Sequence, residues 1–352
     1  MKKFLAFTMA LCMVLALAAC GGGGSPAATQ APAATEAPAA SAAPADSAIT
    51  LTYAEVNPVE GTVVGDVALA FKEKLEELSG GAIKVDIQAG GVMGDEKTVL
   101  ANILGGDTSV DIVRISAFAL NQYGAVKSVF LTLPYVFTSE DHYWKFVESD
   151  LAKEMLAESK EVGLPFNGLA YGEEGFRHFF SKVEVKTLED LKGLKIRVSD
   201  DPIMTGMVKG LGAAFTPVSF GELYTSLQTG VVDAAEQPIT NYLSNSFQEV
   251  APYLIKDGHT LGTIELIATD AALNKLTDEQ KAMVQEAADY AMKVCKESVT
   301  QKQEEAEKKL IELGCTVTEV EDKGPWQAAT KDVLDTNIKG MESIYEAIMA
   351  LQ

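Results

Sequence analysis

Histidine, cysteine and basic side chains are scarce in this 352-residue chain, and each scarcity excludes a class of function. There are three histidines, His142, His178 and His259, and none is spaced with another histidine or cysteine as metal ligands are. Lysine and arginine number 29 against 50 acidic residues, leaving a formal net charge of −21. That balance argues against nucleic acid as a partner and against docking onto anionic lipid. No Gly-x-Ser-x-Gly elbow occurs, and the glycine-rich Gly90-Gly-Val-Met-Gly94 lacks the lysine and hydroxyl of a phosphate cradle. Asp200 and Asp201 are adjacent acids with nothing else to make them a glycosidase pair. No cofactor or metal is expected.

What is present begins at the N-terminus. Lys2 and Lys3 precede an apolar run from Phe4 to Leu17, then small residues and Cys20. This is the build of a secretory signal peptide, and the run is short for a bilayer span. Leu17-Ala18-Ala19-Cys20 resembles a bacterial lipobox, so residues 1–19 are expected to be a signal peptide and Cys20 the lipidated first residue of the mature chain. From Gly21 to about Ser47 the sequence is Gly, Ala, Pro, Ser and Thr with Glu36 and Asp46 as its charges. Nothing there can offset the entropy of ordering, so 20–48 is expected to be a flexible leash reaching on the order of 30 Å. The protein is thus expected on the outer face of the bacterial cytoplasmic membrane, held by lipid. Cys12 leaves with the signal, and Cys295 and Cys315 are expected as free thiols, since a helix separates them by several turns.

The remaining body of roughly 300 residues is long for one core, so two domains are expected. Strands read at Leu51 to Val56, Ile83 to Ile87, Asp111 to Ile115 and Lys195 to Val198, with further ones at Thr216 to Ser219 and Gly230 to Asp233. A helix from Gly65 to Ser79 carries Val67, Ala70, Phe71, Leu75 and Leu78 on one stripe, and Asp95 caps another to about Leu104. The alternation gives an α/β fold with a mostly parallel sheet. Thr187 to Asp190 and Thr277 to Gln280 are capping-box starts. From the second, apolar spacing and then charge continue to Leu313, about 36 residues or about 54 Å of helix. Such a helix outruns one small domain and fits one shared by two lobes.

Several blocks together resemble a known family. Gly175-Phe-Arg177, the run Leu188 to Val198, Leu211-Gly-Ala213 and Pro217 to Glu236 are similar in order and spacing to the central part of substrate-binding proteins of TRAP transporters. Gly80-Gly81, Gly94-Asp-Glu96 and Leu133-Pro134-Tyr-Val-Phe137 extend the resemblance toward the N-terminus. The family implies a two-lobed periplasmic-binding-protein-like clam, lobe one at about 49–174 plus 263–302 and lobe two at about 175–262 plus 303–352. It implies no enzymatic activity. It implies capture of a small organic acid and delivery to a two-part, ion-driven permease, with the chain expected to act as a monomer. A ligand-presenting lobe for a membrane sensor is the competing expectation, and a lipid-anchored carboxylate-processing enzyme a further one.

The site residues follow residue by residue. Arg197 ends an apolar strand, where a charged head is costly unless paired, and its guanidinium fits a carboxylate bidentately. The resemblance makes it the ligand clamp, and an internal salt bridge to Asp200 or Asp201 is the alternative. Arg177, expected in a loop near the lobe junction, matches the family's second arginine. Gln237 stands where the family usually has asparagine and offers the same donor and acceptor on a longer arm, with Asn241 as competing candidate. Phe220 is either a ligand-facing aromatic or core. Glu96, with Glu55 or Asn57, is expected to receive ligand hydroxyl or amino groups. His259 is expected to brace the site, and Tyr135 and Phe137 to form inter-lobe wall or core.

Overall fold

The computed structural model describes residues 48–352. The signal peptide, Cys20 and the leash fall at 1–47, outside the described residues, save Ala48.

Among the described residues nine strands form one sheet: β1 (Ile49–Ala54), β2 (Ile83–Gln88), β3 (Ile112–Ser116), β4 (Phe166–Ser181), β5 (Lys195–Arg197), β6 (Ala214–Phe215), β7 (Ala234–Pro238), β8 (Tyr253–Thr269) and β9 (Thr316–Glu319). Their order is β2-β1-β3-β8-β4-β7-β5-β6, with β9 also on β8. The flanks are parallel, β2 on β1 on β3 and β7 on β5 on β6. The centre is antiparallel, with β8 running against β3 and β4, and β4 against β7. With β9 parallel to β8, five of the eight pairings are parallel, so the mostly parallel sheet read from sequence holds on the flanks, and the antiparallel centre makes the sheet a mixed one. Strands expected at 216–219 and 230–233 lie instead at β6 and β7, because Gly230 ends the preceding helix at φ 79° and the next strand starts only at Ala234.

β4 and β8 are long enough to serve both lobes, of 16 and 17 residues. Apolar clusters lie on both sides of each lobe. One gathers β1, the helix Val63–Leu78 and the start of the long helix, and another packs Val99, Leu100 and Ile103 against Ile115 and Phe166. In the other lobe Ile196, Met204, Met207 and Trp326 form one cluster, and Phe180, Leu227, Tyr242 and Leu310 the other. Each lobe is a helix-sheet-helix sandwich, the arrangement that buries both faces of a sheet.

The long helix is Asp278–Glu312, 35 residues behind the capping box of Thr277 and Gln280. Val284 to Val299 bury in the first lobe, and Ala306 and Leu310 in the second. No side chain from 300 to 305 is buried, so the helix spans the waist on its polar stretch. Cys295 is buried in the first-lobe cluster and Cys315 is half-buried, both free thiols. The last helix, Glu342–Met349, sets Ile348 into the first-lobe cluster, and its carbonyl lies 2.8 Å from His142 Nε2. The resemblance had grouped this stretch with the second lobe.

Candidate functional site

Strand order decides what meets at the waist. β3, β8, β4, β7 and β5 are successive neighbours, so Arg114, Glu174, Arg177, Gln237 and Arg197 converge on one cleft. Its volume is about 350 Å³, and its walls come from both lobes.

A bulge in β4 builds the floor. Along a regular strand Glu174 and Arg177, three apart, would face opposite sides of the sheet. The β4–β8 register slips between Glu173 and Phe176, around Gly175 at φ +86°. Both Glu174 and Arg177 then face the cleft, while Phe176 and His178 face a cavity behind the sheet. Glycine is required for that positive φ, and Gly262 opposite has no room for a Cβ, which would stand 2.8 Å from the Gly175 carbonyl oxygen. Arg177 thus sits in a strand, not in the loop the sequence suggested.

Three arginines reach this cleft, in three electrostatic settings. Arg114, on β3, is paired with two acids. It donates through Nε to Glu55 (2.7 Å) and through Nη1 to Glu96 (2.6 Å), and its Nη2 also bonds Glu55. Arg177 donates through Nε and Nη2 to Glu236, at 2.5 and 3.0 Å, leaving Nη1 a long 3.7 Å approach to Glu174. Glu236 in turn faces His259 Nε2 at 3.6 Å, and His259 Nδ1 lies 2.7 Å from Asp257. Burial works against charge on His259, yet Asp257 and Glu236 raise its pKa to about 9. Burial likewise opposes ionisation of Glu236, but Arg177 and His259 hold it down at about 2. At neutral pH this is a buried chain of alternating charge.

Arg197 has no such partner. It is 6% exposed, and its one hydrogen bond among the described residues runs from Nε to the Val218 carbonyl at 3.1 Å. Nη1 is buried with none. Burial pushes its pKa down, opposed by Glu236 and reinforced by Arg177, but a guanidinium keeps its proton in a protein. The salt-bridge alternative fails because both acids are engaged elsewhere. Asp200 pairs with Lys97 at 2.6 Å, and Asp201 caps the helix Pro202–Gly210. The Phe220 ring lies 5.8 Å from the Arg197 guanidinium and lines the cleft, so it is wall as well as packing.

The remaining expected residues divide. Gln237 and Asn241 both line the cleft. Asn241 Nδ2 is spent on Glu174 (2.7 Å), whereas the Gln237 amide makes no side-chain hydrogen bond among the described residues. The Glu174 pKa is raised, burial outweighing the opposing pull of Arg114 and Arg177. Asn57 lines the cleft, anchored on Glu55 and accepting from Asn245 at 3.3 Å. Glu96 reaches it too, its oxygens already accepting from Arg114 and from the Ser116 amide and hydroxyl. Glu55 does not: it stands behind Arg114, fully buried, and offers a ligand nothing. His259 is not on the cleft wall and stands behind Glu236, its Nε2 3.6 Å from that carboxylate. Tyr135 packs beside the second-lobe core, its amide donating to the His259 carbonyl, and Phe137 lies in the first-lobe core. Sequence reading missed Arg114, Glu174 and Glu236 as site-forming groups. The apolar setting Ile112-Val113-Arg114-Ile115 carried the same signal that flagged Arg197.

Residues 53–340 match the DctP model, bacterial extracellular solute-binding protein, family 7. The chain belongs to this family. Among relatives, the 2,3-diketo-L-gulonate-binding periplasmic protein YiaO of Escherichia coli is 31% identical over 235 residues, 65% of this chain and 70% of that protein. A TRAP periplasmic solute-binding protein from Pseudomonas putida F1, solved with D-glucuronate, superposes with a TM-score of 0.81 at 30% identity, covering 86% of this chain and 98% of the other. One from a Bradyrhizobium species, complexed with D-galacturonate, gives 0.80 at 30% identity over 86% and 99%. The family is one of extracytoplasmic binding proteins, and the fold seen here is that of its solved members.

Proposed function

We propose that this protein captures a small organic acid in the inter-lobe cleft, clamps its carboxylate on Arg197, and hands it to a TRAP permease without chemical change. The observation that carries this reading is the buried, unpartnered Arg197 guanidinium. A charge taken out of water without a counter-ion costs several kcal/mol, and a carboxylate supplies the counter-ion in a bidentate fit. Gln237 supplies a free amide beside it, and Phe220 and Phe118 give apolar faces. The ligands held by the relatives, D-glucuronate and D-galacturonate, support a sugar acid, and a cleft of about 350 Å³ is within the usual range for such ligands.

The lobes are proposed to divide as the resemblance implies, at 49–174 with 263–302 and at 175–262 with 303–352, apart from the last helix. Lipid attachment at Cys20 after removal of residues 1–19 completes the reading: a tethered carrier outside the cytoplasmic membrane. Cys20→Ser should release it from the membrane fraction with ligand affinity unaltered.

A thermal-shift screen against organic acids tests the function. Ligand at about a hundred times its dissociation constant should stabilise the protein by about 2.7 kcal/mol. A library of sugar acids, hydroxy acids and dicarboxylates that shifts nothing would overturn it.

A further inference from the structure

Counting charges around the cleft narrows the ligand further, on the footing that it binds an organic acid. Arg114 is consumed by Glu55 and Glu96. Arg177 is consumed by Glu236. Lys97, also on the cleft wall, is paired with Asp200, so among the described residues lining the cleft Arg197 is the one cation without an acid partner. Glu174 and Glu96 meanwhile present carboxylates to the same space, Glu174 fully within the protein and Glu96 largely covered. A carboxylate accepts hydrogen bonds and repels a second anion at close range.

We infer that the cleft selects a monoanion bearing hydroxyl groups and rejects diacids, with Glu174 and Glu96 as the residues that set this specificity. One carboxylate goes to Arg197. The ligand's hydroxyls donate toward the two glutamates and exchange hydrogen bonds with Gln237 and Ser116, both on the cleft wall. A second carboxylate on the ligand would face Glu174 or Glu96 with every nearby guanidinium already neutralised. Discrimination of this kind rests on a repulsive element, not on an added attraction.

Matched acids test it. The whole protein is titrated with pairs of equal chain length that differ in one carboxylate: D-gluconate against D-glucarate, L-threonate against L-tartrate, butyrate against succinate. At least one hydroxylated monoacid is expected to bind, with its diacid partner weaker by thirtyfold or more. Glu174→Gln keeps shape and the Asn241 contact while removing the charge, and should cut that ratio at least fivefold. Glu96→Gln, which frees part of Arg114, should do the same and stands in if the first variant fails to fold. Diacids binding as tightly as monoacids, or a ratio unmoved by either substitution, overturns the inference and leaves the organic-acid site intact. Binding of no acid in the wild-type protein overturns both.

Discussion

Arg114 on β3 and Arg197 on β5 are both buried, both line the same cleft, and differ in what surrounds them. Arg114 has two glutamates within hydrogen-bond reach, and Arg197 has a single backbone carbonyl. The first side chain is part of the scaffold, because its charge is balanced before any ligand arrives. The second is the proposed clamp, because no acid among the described residues balances its charge and that is left to a ligand. Burial and residue type are the same in the two cases; the partner list separates structure from function.

Breaking the first arginine should cost the fold most. Arg114→Ala leaves Glu55 and Glu96 without their counter-ion, Glu55 fully buried, so stability should fall by roughly 3–5 kcal/mol, read from urea unfolding. A loss under about 1 kcal/mol would contradict a scaffold role.

The brace behind Arg177 sharpens the comparison through pH. His259 is raised to about 9 from a usual 6.5, so its contribution is full below pH 6.5 and fades as pH rises through 9. Glu236 is lowered to about 2 from 4.5, so its contribution is full above 4.5 and fades as pH falls toward 2. Stability from this pair should peak between pH 4.5 and 6.5, with a loss on the order of 3 kcal/mol at most on the alkaline side. His259→Gln should flatten the alkaline limb in thermal melts across pH 6 to 10. A limb of equal depth in that variant would assign the pH dependence to other groups.

Arg197→Lys keeps the charge and loses the fork. Affinity should drop at least tenfold, about 1.4 kcal/mol, with no matching loss of stability. Equal affinity by calorimetry would mean that a point charge suffices.

The smallest effect belongs to Lys97 and Asp200, an exposed pair at 2.6 Å on the cleft wall. Exposed pairs contribute about 0.2–1 kcal/mol and are screened by salt. Lys97→Ala should weaken binding by less than about fivefold, and 0.5 M salt should erase the difference from wild type. A larger, salt-independent effect would place Lys97 on the ligand.

Local signals made much of this legible in the sequence. The capping box at Thr277 and the charged stretch after Val294 located the waist-crossing helix almost to the residue. Arg197 stood out as a charge ending an apolar strand. The two central strands were missed for physical reasons. β4 is interrupted by Gly168, Gly172 and Gly175, and β8 is buried on both faces, so neither shows period-two alternation. Without β4 the bulge at Gly175 was invisible, and with it the turning of Glu174 into the cleft. Glu55 was misjudged because its partner, Arg114, lies 59 positions away, on a different strand. Pairing across such distances is a property of topology, which local patterns do not carry.

The difference between the two arginines can be tested most directly with one variant. Arg197→Ala should melt at the wild-type temperature or slightly above, since it removes an uncompensated buried charge, and should give no heat when titrated with the acid that stabilises the wild type. A folded Arg197→Ala protein that binds this acid within a few-fold of wild type would contradict the account.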